Sequence, residues 1–135
     1  MYPNKKAILT APGPPIKQEK IILKKWKEIH YKGWSILPEK KKIKAIKILL
    51  LTINKIKKGS RLKIKFDKKL ANCYTSDNNT IILNKASIIT SLHELSHHLF
   101  GESEEKACKY SIWIFKEAFP RSFKKLIFKN HLLTK

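Results

Sequence analysis

A stretch without Lys or Arg, residues 86–105, constrains the fold of this chain more than any other feature. Lys and Arg make up 30 of the 135 residues and the formal net charge is +20, yet neither residue occurs in this stretch. A helix that is buried on most sides excludes Lys, so we predict a central helix from about residue 85 to residue 100. Burial alone does not explain the polar residues that this helix keeps. They are Ser91, His93, Glu94, Ser96, His97 and His98.

The predicted central helix has two distinct faces. Its apolar stripe consists of Ile88, Leu92, Leu95 and Leu99. These residues recur at helical spacing and are predicted to anchor the helix in the core. The second face carries His93 and His97 between two apolar residues, Ile89 and Phe100. An exposed face in so basic a chain would carry Lys, so this second face is expected to contact something other than solvent.

The residues His93, Glu94 and His97 form the pattern His-Glu-x-x-His. Residues four apart project from one side of a helix, so both imidazoles can reach one metal ion. Zinc accepts neutral imidazole at about 2.0–2.1 Å, and a catalytic zinc site has three protein ligands and a water molecule. Glu94 lies about 100° around the helix from His93, which suits a base that takes a proton from that water. We therefore predict one zinc ion bound by His93 and His97, with Glu94 as the general base.

A third protein ligand has to come from another part of the chain. The candidates are Glu102, Glu104, Glu105, Cys108 and His131. Gly101 can adopt the left-handed conformation that ends a helix, and Ser103 is a typical N-cap for the next helix. Glu104 and Glu105 then fall in the first turn, where carboxylates suit the helix dipole. Glu104 shares its face with small residues that allow a close approach to the first helix, which favours Glu104, with Glu105 as the alternative.

Two segments carry a resemblance to known metallopeptidases. CYTSDNNTIILNKASIITSLHELSHHLFG resembles the zincin core of the ImmA/IrrE-like and SprT-like groups, in which a hairpin leads into the HELxH helix. EEKACKYSIWIFKEAFP is similar to the ImmA/IrrE tail, where a Glu begins a helix of the form E-x-x-A-x-x-(F/Y)-(A/S). The matching residues are Glu104, Ala107, Tyr110 and Ser111. The resemblance covers about residues 71–120 and implies a minimal zincin-like metallopeptidase core with Glu104 as the third zinc ligand.

Three polar side chains near the motif have competing interpretations. His98 is turned about 100° away from His97 and is expected to contact solvent or a neighbouring side chain rather than zinc. Tyr74 and Tyr110 can each donate a hydrogen bond to an oxyanion, although Tyr110 is more simply a core residue at helical spacing. Cys108 is interpreted as a small buried hydrophobic residue beside the site.

Two helices are predicted before the motif. Residues 16–30 place Ile22, Trp26 and Ile29 on one face. Residues 38–59 begin at a proline and stop at a glycine, as helices commonly do. The core face of this second helix is predicted to contain Ile43, Ile46, Leu50, Ile53 and either Ile56 or Lys57. Lys covers its outer face.

Between these helices and the motif, the hydrophobic pattern changes to a period of two. RLKIKFD predicts a half-exposed strand, and two short strands flank the turn-forming SDNN. The second of them, residues 80–83, is a candidate edge strand for binding an extended peptide. A helix from Ser103 to Pro120 and a last short helix follow the motif. The predicted fold class is α+β: N-terminal helices, a small antiparallel sheet, the HExxH helix and the helix of the Glu ligand.

Length and composition predict one soluble intracellular domain. Residues 1–15, which end in APGPP, are expected to form a flexible Pro-rich arm, and residues 16–135 a single domain. Cys73 and Cys108 have no paired spacing and are expected to be reduced thiols in the cytoplasm. No apolar run is long enough for a signal peptide or a membrane span, so no membrane partner is expected.

The basic charge supports a second interpretation. Of the 30 basic residues 28 are Lys, and the chain contains 19 Ile. This bias fits an A/T-rich coding sequence better than selection for nucleic-acid readout, which favours Arg, but the charge still predicts non-specific, salt-sensitive binding of nucleic acid. The first predicted function is a zinc metallopeptidase acting on an intracellular protein or peptide. The alternative is a basic nucleic-acid-binding module with a structural or vestigial zinc site, or a SprT-like protease acting on DNA-bound proteins.

Overall fold

The computed structural model describes residues 13–129, which form a mixed arrangement of helices and strands. The elements are α1 (Lys17–Trp26), a π-helical turn (Lys27–Tyr31), a 3-10 turn (Trp34–Ile36), α2 (Glu39–Ile56), β1 (Lys63–Phe66), β2 (Cys73–Thr75), β3 (Thr80–Leu83), α3 (Ile88–Phe100), α4 (Glu104–Ala118) and α5 (Pro120–Lys129). Five α-helices and one three-stranded sheet in the described range confirm the α+β class. Residues 1–12 of the predicted arm and the candidate ligand His131 lie outside that range.

The first predicted helix is interrupted near its end. α1 stops at Trp26, and the chain continues through the π-helical turn. The indole N–H of Trp26 donates to the carbonyl oxygen of Ala45 at 2.8 Å, which ties α1 to α2. Because a π turn is wider than an α turn, the side-chain phase shifts beyond Trp26. Ile29 is consequently 74% exposed, and its predicted place on the core face is wrong.

α2 follows the predicted pattern more closely. It begins after Pro38 and ends at Ile56. Its buried residues are Ala45, Ile46, Leu49, Leu50, Ile53 and Asn54. Three members of the predicted core face are among them, while Ile43 is half-buried. Of the two alternatives for the last position of this face, Ile56 is 45% exposed and Lys57 is half-buried. Lys57 therefore continues the core face at the C-terminal end of α2.

The sheet is mixed rather than antiparallel, which corrects the prediction. Its strand order is β1-β3-β2. β2 pairs with β3 in antiparallel register, with Tyr74 opposite Ile81, and β1 pairs with β3 in parallel register, with Ile64 opposite Ile81. The predicted edge strand β3 is therefore the central strand, and β2 lies at an edge.

Burial explains why β3 lies in the centre. The chain reverses direction twice between β1 and β3, so these two strands run in the same direction. The sheet would be fully antiparallel only if β2 lay between them. Ile81 and Leu83 of β3 are buried, whereas β1 alternates exposed Lys63 and Lys65 with half-buried residues. The most apolar strand takes the central position, and the Lys-bearing strand lies at an edge, where charge is tolerated.

α3 is the central helix that we predicted from the absence of Lys and Arg in residues 86–105. It packs against α2, α4 and the strands β2 and β3. Of the predicted apolar stripe, Ile88, Leu92 and Leu95 are buried and Leu99 is half-buried against the core. All residues from Ser91 to Ser96 are buried, including the polar ones. Of the motif histidines, His93 is therefore buried and His97 is half-buried, and neither lies on the Lys-covered surface.

A buried carboxylate connects three helices. Glu19 of α1 has no exposed surface, and it accepts a hydrogen bond from the Tyr110 hydroxyl of α4 at 2.6 Å. The ammonium group of Lys57, just after α2, lies 3.3 Å from the same carboxylate oxygen. Tyr110 is thus a core residue, as its simpler interpretation predicted.

Within the part of the chain that the structure describes, no helix is long and apolar enough to cross a membrane.

Candidate metal centre

α3 places the two motif histidines side by side. Its N-terminus is capped by Ser87, whose hydroxyl accepts a hydrogen bond from the backbone N–H of Thr90 at 3.3 Å. Four residues make slightly more than one turn, so His93 and His97 project from the same side. Their ring centroids are 5.0 Å apart and the rings are nearly perpendicular, at 78°.

The chain then turns back at Gly101. This residue has φ 102° and ψ −162°, a combination that is essentially restricted to glycine. The positive φ agrees with the prediction, but ψ is extended, so the turn is not the left-handed helical cap that was expected. Ser103 is the predicted N-cap of α4, and its hydroxyl accepts from the backbone N–H of Lys106 at 3.2 Å.

This turn brings the carboxylate of Glu104 to both histidines. Oε2 of Glu104 lies 3.1 Å from Nε2 of His93, and Oε1 lies 2.9 Å from Nε2 of His97. Glu105, the alternative third ligand, is exposed. Glu102 is also exposed and lines the cleft beside the histidines. Of the acidic candidates, Glu104 is the one whose two oxygens face both imidazoles.

The other nitrogen of each imidazole contacts a different kind of group. Nδ1 of His97 lies 2.9 Å from the carbonyl oxygen of Gly101, to which it donates. That hydrogen bond leaves Nε2 facing Glu104. Nδ1 of His93 lies 3.8 Å from Sγ of Cys108, a fully buried thiol one turn after Glu104. Cys108 therefore contacts a site residue, which its interpretation as a hydrophobic residue did not include.

The separations of Glu104 from the two histidines fit a zinc ion. Two imidazole nitrogens and one carboxylate are a ligand set of catalytic zinc sites, and donors about 2.0–2.1 Å from a tetrahedral ion lie roughly 3.3 Å apart. The 2.9 Å and 3.1 Å separations between Glu104 and the two histidines are close to that value. Burial also lowers the pKa of His93, which favours the neutral imidazole that binds metal. His93, Glu94 and His97 also form a group whose potential ligand atoms lie within 4.8 Å of one another.

Glu94 lies beside these candidate ligands in a buried position. It is 7% exposed and lines the same cleft. Burial raises the pKa of its carboxyl group to about 7; the charge of Glu104 acts in the same direction and His97 opposes it. A bound dication would lower this pKa again. In the metal-free protein this carboxyl group therefore changes protonation near neutral pH.

A chain of hydrogen bonds forms the opposite wall of the cleft. The Tyr74 hydroxyl of β2 lies 2.8 Å from Nδ1 of His98 and 3.0 Å from Oδ1 of Asn79. Nε2 of His98 lies 3.0 Å from the carbonyl oxygen of Ser60. His98 therefore contacts neighbouring groups, as expected, and has neither ring nitrogen directed at Glu104. Sequence reasoning missed Asn79 and Ser60, because only the folded chain brings them beside α3.

The cleft itself has a volume of about 510 Å³. One side is formed by β2 and its flanking loops, including Asn72, Cys73 and Ser76, and the other by the candidate ligands and Glu94 on α3 and α4. None of the described residues that line it is Lys or Arg. In a chain of net charge +20 this is the arrangement that a divalent cation requires, because a nearby ammonium group would repel it.

Comparisons with protein-family models, with curated proteins and with solved structures find no match to this chain. The resemblance to zincins therefore stays a prediction that rests on the motifs. What is known of the site comes from its own geometry.

Proposed function

We propose that this chain is a cytoplasmic zinc metallopeptidase that hydrolyses peptide bonds of a protein substrate. In this proposal His93, His97 and Glu104 bind one zinc ion, and the protein has a minimal zincin-like core. The observation that carries the proposal is the position of the Glu104 carboxylate, 3.1 Å from Nε2 of His93 and 2.9 Å from Nε2 of His97.

A bound zinc ion would polarise a substrate carbonyl and make a water molecule acidic near neutral pH. The protein's own part is to place a base beside that water. Glu94 takes the proton as the water attacks and then delivers it to the leaving amine, which requires a carboxyl group that exists in both protonation states. The buried position of Glu94 beside His93 supports this role.

The arrangement of β2 supports an extended peptide as the substrate. β2 lies at a sheet edge and lines the cleft opposite α3. A peptide that added to this edge would run along the cleft past the metal site, with main-chain hydrogen bonds fixing its direction. The Tyr74 hydroxyl, on the same wall, is the candidate donor of a hydrogen bond to the oxyanion, and because it has a single proton it would have to release Asn79 or His98 to donate there.

Replacing Glu94 by Gln tests the proposal. We expect the purified wild type and Glu94→Gln each to contain one zinc ion, because Glu94 is not a ligand. Casein cleavage should fall by about 10²–10⁴-fold in the variant, the usual contribution of a general base. Glu105→Gln is the matched control, since it removes the same charge from an exposed position. Absence of zinc from the wild type, or full activity of Glu94→Gln, would refute the proposal.

The exposed Lys residues support a second candidate function. Lys40, Lys41, Lys44 and Lys55 of α2 are exposed on one helix. They favour a nucleic-acid-binding module with a structural zinc, or a protease of SprT-like type that acts on DNA-bound proteins. Glu94 separates these alternatives, because a structural site needs no base beside its ligands. A binding module would bind DNA with a steep dependence on salt and leave casein uncut.

A further inference from the structure

Cys108 lies where it can control the orientation of a metal-binding histidine. It follows Glu104 by one helical turn, so both side chains face α3. The thiol is fully buried, and its sulfur lies 3.8 Å from Nδ1 of His93. His93, Glu104 and Cys108 also form a compact group, with potential ligand atoms within 4.8 Å of one another.

Both imidazoles present Nε2 to Glu104, but their Nδ1 atoms are held differently. The carbonyl oxygen of Gly101 accepts from Nδ1 of His97 at 2.9 Å, a hydrogen bond of ordinary length. His93 has the sulfur of Cys108 at the corresponding position. When Nε2 binds a metal ion, the ring proton is on Nδ1, and for His93 that proton points toward Cys108.

We propose that Cys108 is a positioning residue, whose sulfur accepts a hydrogen bond from Nδ1–H of His93 and so keeps Nε2 directed at the metal. The consequence for metal binding rests on the proposed function, in which His93 is a ligand. A group of this kind fixes both the tautomer and the rotation of the ring, and removing it typically weakens metal affinity by about 10–100-fold. Sulfur is a weak acceptor, so the lower part of that range is expected.

Three substitutions of Cys108 separate hydrogen bonding from packing. Ala is smaller than Cys and Val is larger, and neither accepts a hydrogen bond, so a loss shared by both variants and restored by Ser reports the acceptor rather than the volume. Ser keeps an acceptor at the same position. The matched control is Cys73→Ala, which removes the thiol that lines the cleft from β2.

The measurement is the zinc dissociation constant, from competition with a chromophoric chelator, together with the unfolding midpoint of each metal-free protein. We expect about tenfold weaker zinc binding for Cys108→Ala and Cys108→Val, and binding within about threefold of wild type for Cys108→Ser and Cys73→Ala. If Cys108→Ala and Cys108→Val both bind zinc like the wild type, or if Ser fails to restore binding, the proposal is wrong.

This experiment also distinguishes the failure of this proposal from that of the proposed function. A wild type that binds no zinc refutes the metal site and, with it, the role of Cys108. A wild type that binds zinc but cleaves no peptide refutes the peptidase alone, and the comparison of the Cys108 variants still decides the positioning role. Should one of the two non-accepting variants fail to fold, the other is compared with Cys108→Ser, which keeps the acceptor.

Discussion

The third ligand can be tested by comparing Glu104→Gln with Glu105→Gln. The two carboxylates are neighbours in the first turn of α4, so both changes remove one negative charge from the same helix end. Only Glu104 contacts the imidazoles, with its two oxygens 3.1 Å and 2.9 Å from Nε2 of His93 and His97. A difference between the variants therefore reports direct contact with the metal rather than a general change of charge.

The expected magnitude follows from the free energy of zinc sites. Four-ligand structural sites bind zinc with about 10–16 kcal/mol, or roughly 3 kcal/mol for each ligand. Since 1.4 kcal/mol corresponds to a factor of ten, losing one ligand should weaken binding by about 100-fold. The Glu104 side chain is 38% exposed, and Gln keeps one oxygen, so a much larger loss is not expected.

Thermal or urea unfolding with added zinc measures this loss. Zinc at 100 times the wild-type dissociation constant should stabilise the wild type by about 2.7 kcal/mol, and Glu104→Gln, with 100-fold weaker binding, by about 0.4 kcal/mol. Glu105→Gln should behave like the wild type. Equal losses in the two variants, or no loss in Glu104→Gln, would show that the ligand assignment is wrong.

Two further changes test the fold around the site. Gly101→Ala should lower the free energy of unfolding, measured in urea, by about 1–3 kcal/mol. The reason is the backbone, because φ 102° with ψ −162° strains any residue other than glycine, whereas nothing lies within 4 Å of the added Cβ. A loss below about 0.3 kcal/mol would contradict this. Tyr110→Phe should remove an alkaline sensitivity. Burial, followed by the hydrogen bond to Glu19, raises the pKa of Tyr110 above its ordinary 10.0, so above about pH 10 the unfolded state loses a proton that the folded state keeps. Wild-type stability should then fall by up to about 1.4 kcal/mol per pH unit relative to the variant, and parallel pH profiles of the two proteins would refute this account.

The features that follow from local patterns could be predicted from the sequence. Alternation in RLKIKFD, the SDNN turn and the N-cap at Ser103 all depend on residues within a few positions of each other. The position of Glu104 beside both histidines also follows from local features, since the turn after α3 is only three residues long. The buried face of α2 could likewise be predicted from the spacing of its apolar residues.

The features that depend on distant parts of the chain could not be predicted. The periodicity of three short strands does not say which is central, because that depends on how much surface the helices cover. The burial of Glu19 is another example, since a carboxylate among Lys residues on α1 suggests an exposed face until Tyr110 and Lys57 are known to reach it. The contact between Cys108 and His93 likewise requires the packing of α4 on α3.

The six residues between His97 and Glu104 are enough because five of them have a structural task. Three complete the last turn of α3, Gly101 reverses the chain, and Ser103 caps α4. Glu104 is then the first residue of α4, so no further helical turn is needed to bring its carboxylate back to the histidines. Gly101 contributes twice, because its backbone angles make the reversal and its carbonyl oxygen holds Nδ1 of His97. Each added residue in α4 would rotate the carboxylate by about 100°, which is why Glu105, the next residue, is exposed and Glu104 faces the histidines.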